Sequence, residues 1–114
     1  MVLAEICLLT SDVLRLSAFY KKVLNTTSDS DDPVHQAIQT DGALLTLYND
    51  GAVSEHPNGN LYLAFTVADV DAEYERLCRL GVDILEPPTT RPWGARNMLF
   101  SDPDGNRITF RTLP

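Results

Sequence analysis

The feature that most constrains this chain is an internal repeat. Residues 6–9, followed by Thr10-Ser11-Asp12-Val13, match residues 63–67, followed by Ala68-Asp69-Val70. Each is an apolar, strand-like run that closes on an acidic residue and opens a helical pattern. Asp12 and Asp69 stand 57 positions apart (69 − 12), half of the 114 residues. A chain of this length forms one domain of ordinary size, so the repeat predicts two copies of one unit inside it.

Val13, Leu16, Phe19, Tyr20, Val23 and Leu24 recur at three- and four-residue intervals, the stripe of a helix packed by one face. Ser11 or Asp12 supplies the capping oxygen. The second copy carries Val70, Tyr74, Leu77 and Cys78, with Asp69 as cap, Asp71 and Glu73 at the positive end, and Gly81 placed to stop the helix. Strand-like segments follow each helix: 35–40 and 43–48 around Asp41-Gly42, then 82–85, 96–101 and 106–112. The last two flank Asp102-Pro103-Asp104-Gly105, a turn in which Pro presets one backbone angle and Gly takes a positive one. The expectation is a single α+β domain over 1–114. Its two βαβββ-like modules, about 1–58 and 59–114, are joined through 49–59. Residues 28–33 read as a solvated loop and 86–94 as a Pro-rich loop.

Composition closes several alternatives. Apolar residues make up 44% and charged residues 22%, with Gly and Pro together at 13 (6 + 7), which is globular. Nine basic against 16 acidic side chains give a net charge of −7, the wrong sign for gripping a phosphate backbone, so nucleic acid is not an expected partner. No stretch approaches the roughly eighteen apolar residues of a membrane span, and the N-terminus lacks a signal-peptide pattern, so a cytoplasmic protein is expected. Cys7 and Cys78 lack the spacing of a zinc or redox pair and read as small core or cleft-lining residues.

The run Trp93-Gly94-Ala95-Arg96, then Asp102-Pro103-Asp104-Gly105-Asn106, then Arg107-Ile108-Thr109-Phe110 resembles the C-terminal signature of the vicinal oxygen chelate superfamily. That superfamily includes glyoxalase I, bleomycin-resistance proteins, fosfomycin-resistance enzymes and extradiol dioxygenases. Ser11-Asp12 with Phe19-Tyr20 seven residues on resembles the start of its first helix. The resemblance spans essentially the whole chain. It implies two tandem βαβββ modules forming a partly open curved sheet or barrel around a central cleft, often completed by a homodimer.

Period-two alternation then assigns faces. Ile6, Leu8, Met98, Phe100, Ile108 and Phe110 belong to the core. Glu5, Cys7, Leu9, Leu44, Thr46, Tyr48, Tyr62, Ala64, Thr66, Asn97, Leu99, Arg107, Thr109 and Arg111 belong to the cleft. Trp93, in the 86–94 loop, is expected either to close over a ligand or to pack that loop onto the domain.

Metal-dependent relatives hold a divalent ion through His or Glu at up to four cleft positions, which the resemblance carries onto Glu5, Thr46, Tyr62 and Thr109. Only Glu5 is a good ligand. A catalytic site needs about three imidazole, carboxylate or thiolate donors. His35 on an outer strand and His56 in the connection lack the register, and Cys7 adds at most one thiolate. The expectation is therefore no metal or other cofactor, and a bleomycin-resistance-like protein that binds a small, aromatic or drug-like molecule through Cys7, Leu9, Leu44, Thr46, Tyr48, Tyr62, Trp93, Asn97, Leu99, Arg107, Thr109 and Arg111.

The alternative is a glyoxalase-like, metal-dependent lyase or isomerase, or a dioxygenase-type enzyme. Glu5 is the one candidate catalytic residue: desolvated in a partly apolar cleft it would act as a general base, and otherwise it would pair with Arg107 or Arg111. The ligand's charge stays open. The net charge attracts cations, whereas inward-facing Arg107 and Arg111 favour an anion and solvated or paired ones favour neither.

Overall fold

Two acidic caps start the two helices, and two left-handed residues end them. A computed structural model describes residues 1–54 and 58–114, which divide into the units Met1–Gly59 and Asn60–Pro114. The architecture is α+β, with two helices, a three-stranded sheet and a four-stranded sheet in repeated modules.

In the first unit β1 (Glu5–Leu9) leads into α1 (Val13–Val23), followed by β2 (His35–Ile38) and β3 (Leu44–Tyr48). The strand order is β1-β3-β2, with β1 parallel and β2 antiparallel to β3. Of the two candidate caps, Asp12 is the one used: its carboxylate accepts from the Arg15 N–H at 3.0 Å, while its own N–H donates to the Thr10 hydroxyl at 3.1 Å. Asn25 adopts a φ of 51° after the helix, so the Thr26 and Asn25 N–H groups reach back to the Lys21 and Lys22 carbonyls. Val13, Leu16, Tyr20 and Val23 are buried, as are Leu8, Ile38, Leu45 and Leu47 on the strands. A polar pair shares that core: the Ser17 hydroxyl donates to Gln36 Oε1 at 2.6 Å, and Gln36 Nε2 donates to the Asp32 carbonyl.

The expected fourth strand of this module is reduced to one antiparallel bridge, Ser28 with Ile38. Side chains of the 28–32 segment satisfy the local backbone instead. Ser28 Oγ donates to the Ser30 carbonyl, and Asp32 Oδ1 accepts the Val34 and His35 N–H groups. Such local bonds compete with a ladder. They also hold the Asp32 carboxyl below its ordinary pKa.

In the second unit β4 (Tyr62–Thr66) leads into α2 (Val70–Arg79), then β5 (Asp83–Thr90), β6 (Arg96–Ser101) and β7 (Arg107–Thr112), in the order β4-β7-β6-β5. Asp69 caps α2 by accepting from Asp71 and Ala72. Gly81, at φ +76°, ends it, with Val82 N–H on the Leu77 carbonyl and Gly81 N–H on that of Cys78. Leu63, Val70, Leu77, Met98, Phe100, Ile108 and Phe110 are buried, and Phe110 meets Phe65 and Phe100 edge to face.

Three expectations need correction here. Residues 86–90 are strand, not loop, because β5 runs through Pro87 and Pro88 to Thr90. It is the outer strand of the sheet, where prolines are tolerated, and its register slips on either side of Glu86, leaving Pro87 and Pro88 out of the ladder. Trp93 lies in the remaining short turn, 70% exposed, and so does not pack the turn onto the domain. Of the core and cleft-lining alternatives for the cysteines the core one fails, since Cys7 and Cys78 are both free and exposed. Cys78 sits one position round the helix from buried Leu77, at the edge of the apolar stripe, one turn on from Tyr74, whose phenol pKa it pushes up.

The Asp102–Asn106 turn is more than a backbone reversal. Asp102 is 4% exposed, and its carboxylate accepts from the Asp104 N–H, the Asn106 N–H and Asn106 Nδ2 at 2.7–2.9 Å. It fixes the β6–β7 hairpin from inside. No helix among the described residues is long and apolar enough to cross a membrane.

Candidate functional site: the sheet faces opposite the helices

In the first unit the parallel register of β1 and β3 places Glu5 beside Leu44, Cys7 beside Thr46 and Leu9 beside Tyr48. The alternate residues Leu8, Leu45 and Leu47 are buried, which leaves the first set on the opposite face. β2 extends two of these rows, with Ala37 beside Thr46 and His35 beside Tyr48. The His35 and Tyr48 rings meet edge to face, centroids 5.8 Å apart. Thr46 is 2% exposed and donates its hydroxyl proton to Glu5 Oε1 at 2.8 Å. Glu5 itself is exposed.

In the second unit the register of four strands sets out three rows on the face opposite α2. Tyr62, Arg107, Ser101 and Asp83 form one; Ala64, Thr109, Leu99 and Glu86 the next; Thr66, Arg111, Asn97 and Thr89 the third. Arg107 Nη1 donates to the Tyr62 hydroxyl at 2.9 Å, with its guanidinium carbon 5.5 Å from the centre of that ring. Arg111 Nε donates to Thr66 Oγ1 at 3.2 Å. Glu86 is taken by Arg91 at 2.6 Å. Asn97 Oδ1 is buried without a hydrogen-bond donor.

The four positions where the resemblance carries metal ligands can now be tested by their contacts. Glu5 and Thr46 bond each other, and Tyr62 accepts from a guanidinium. Thr109 offers a neutral hydroxyl. No group of three His, Cys, Asp or Glu able to hold an ion occurs among the described residues. His35 shares a face with Glu5 but lies in the Tyr48 row, four residues and about 13 Å along the strand. His56 lies outside the described residues. This donor set does not fit a divalent-ion centre.

Comparison with known proteins decides the family. The sequence profile of the Glyoxalase/Bleomycin resistance protein/Dioxygenase superfamily matches residues 2–110. The chain belongs to that superfamily. Its fold is similar to that of a glyoxalase/bleomycin resistance protein/dioxygenase from Nocardioides (26% identity, 99% of this chain and 83% of that one, TM-score 0.82). It is similar also to a glyoxalase-related enzyme from Fulvimarina pelagi (25% identity, 97% and 87% covered, TM-score 0.82). A protein described as a conserved domain protein matches over the full length of both chains at 24% identity and a TM-score of 0.88, which shows the fold.

Within this superfamily member one recess escaped sequence reasoning. A cavity of about 360 Å³ opens at the start of α2, lined in part by Asp69, Asp71, Thr90, Arg96 and Thr112. No local pattern marks it, since it depends on Arg96 of β6 reaching α2. Its donors are already engaged. Arg96 holds Asp71 through two bonds of 2.9 Å, which lower the Asp71 pKa and raise that of Arg96. Asp69 takes the Asp71 and Ala72 N–H groups, and Thr112 takes that of Val70. The recess is therefore a tied helix start rather than a receptive one.

Proposed function

We propose that this superfamily member binds a small organic molecule without a metal ion, as a cytoplasmic homodimer of the bleomycin-resistance type. The observation that carries the reading is the donor chemistry on the sheet faces. The one carboxylate among the four ligand positions accepts from Thr46, and the phenol among them accepts from Arg107. Isomerisation of a hemithioacetal, thiol addition to an epoxide and ring cleavage by dioxygen need about three strong donors around a Lewis acid. Recognition needs less: a flat surface, apolar wall and a few polar anchors. Tyr62, Leu99, Asn97, Thr109 and the two arginines supply these on the second sheet, and Leu9, Leu44, Tyr48 and Cys7 on the first. Exposed Trp93 offers a further ring.

A thermal-shift screen of natural products and metabolites, run with and without EDTA, tests this. A ligand that binds the folded state alone raises Tm. The expected hit raises it equally in both series. A shift that vanishes with EDTA and returns with nickel, zinc or manganese would overturn the reading in favour of the metal-dependent lyase or isomerase.

A further inference from the structure

We infer that the ligand is an anion: a small molecule whose carboxylate or phosphate oxygens are gripped by Arg107 or by Arg111, which stand four residues apart on the open face of the four-stranded sheet. This rests on the binding role proposed above and narrows its substrate class.

With 16 acidic and nine basic side chains, a cation in this chain has acids in excess to choose from. Arg91 and Arg96, on the same sheet, each have one, Glu86 at 2.6 Å and Asp71 at 2.9 Å. Within the second unit Arg107 and Arg111 do not. Among the described residues their partners are neutral oxygens, the Tyr62 and Thr66 hydroxyls.

Position explains why. Both stand on one face of β7 with Thr109 between them, and β4 presents Tyr62, Ala64 and Thr66 alongside. On the far side β6 presents Ser101, Leu99 and Asn97. The acids sharing this face are on β5, beyond β6. Glu86 is already bound, and Asp83, two strands from Arg107 in the same row, makes no ion pair with it.

The neutral partners orient rather than neutralise. Using Nη1 on Tyr62, Arg107 keeps its Nε and Nη2 edge; using Nε on Thr66, Arg111 keeps its Nη1 and Nη2 end. Each remaining pair is a fork that fits two oxygens of a carboxylate or phosphate. Tyr62, still 57% exposed, adds an aromatic surface next to Arg107. The net charge of −7 opposes an anion at long range, but that field is screened beyond about 8 Å at physiological salt, so the contacting guanidiniums decide.

The test titrates benzoate and inorganic phosphate, with benzamide and benzylamine as neutral and cationic counterparts, following the arginine Nε–H signals by NMR. Benzoate or phosphate, whichever is the better fit, should shift the Arg107 or the Arg111 signal saturably, and the two counterparts should not. The Gln variant of the arginine whose signal moves, Arg107→Gln or Arg111→Gln, should weaken binding about tenfold or more. Arg107→Lys and Arg111→Lys, which keep the charge and lose the fork, should weaken it less. Equal binding of benzamide, absence of a saturable shift with both anions, or indifference to the Gln variants overturns the inference. Repeating the titrations with EDTA separates the two claims. Anion binding that needs a metal sinks the metal-free role and spares the anion, whereas metal-free binding of neutral probes alone does the reverse.

Discussion

In the first module the parallel pair β1 and β3 sets Glu5 beside Leu44, Cys7 beside Thr46 and Leu9 beside Tyr48; in the second the same pairing of β4 with β7 sets Tyr62 beside Arg107, Ala64 beside Thr109 and Thr66 beside Arg111. One backbone plan therefore carries an acid and apolar groups in one copy, and two cations with neutral hydroxyls in the other. A duplicated ladder fixes where side chains point and leaves their chemistry free to diverge. The modules differ in their fastenings too. The second closes its hairpin with a buried carboxylate and ends its helix on glycine; the first uses the Thr40 hydroxyl and Asn25.

The largest expected contrast lies in those hairpins. Asp102→Ala strands three donors and should cost about 3 kcal/mol in chemical denaturation, while Thr40→Ala in the first module should cost about 1. Equal losses would mean that the two hairpins are held alike. Next comes the polar core contact of the first module. Ser17→Ala leaves Gln36 Oε1 buried without that donor and should cost about 2 kcal/mol. Helix ends follow: Gly81→Ala should cost about 1 kcal/mol, whereas Asn25→Gly should be neutral or stabilising, since both positions need positive φ.

The smallest effect is electrostatic and lies at the start of α2 in the second module. Arg96 holds the Asp71 carboxyl below its ordinary value of 3.8. Its stabilisation is therefore present above that value and is lost as pH falls from there through the lowered, folded-state pKa. Asp71→Asn should flatten the Tm profile over that acid window and leave it unchanged near neutrality. An unaltered acid limb would remove Asp71 from the account.

Much of this was legible in the chain itself. The half-length repeat, the Asp12 and Asp69 caps, the two helical stripes and the pleat phase of β6 and β7 all follow from local spacing, and local spacing is what periodicity encodes. What escaped was decided across the chain. Pro87 and Pro88 read as loop because propensity ignores that an outer strand tolerates them. Asp102 read as a turn residue, because its burial depends on the hairpin folding over it. The missing fourth strand of the first module follows from Ser28 and Asp32 bonding their own backbone, a contest that composition does not settle. Face assignment was accessible by alternation, but the holding of Arg107 by Tyr62, 45 residues away, needed the strand register.

Metal content is the most direct check on the central claim that these sheet faces lack the donors for an ion. Protein purified without chelator, then equilibrated in turn with nickel, zinc and manganese and desalted, should carry no stoichiometric metal. One tightly held ion per chain, lost on Glu5→Gln, would contradict it.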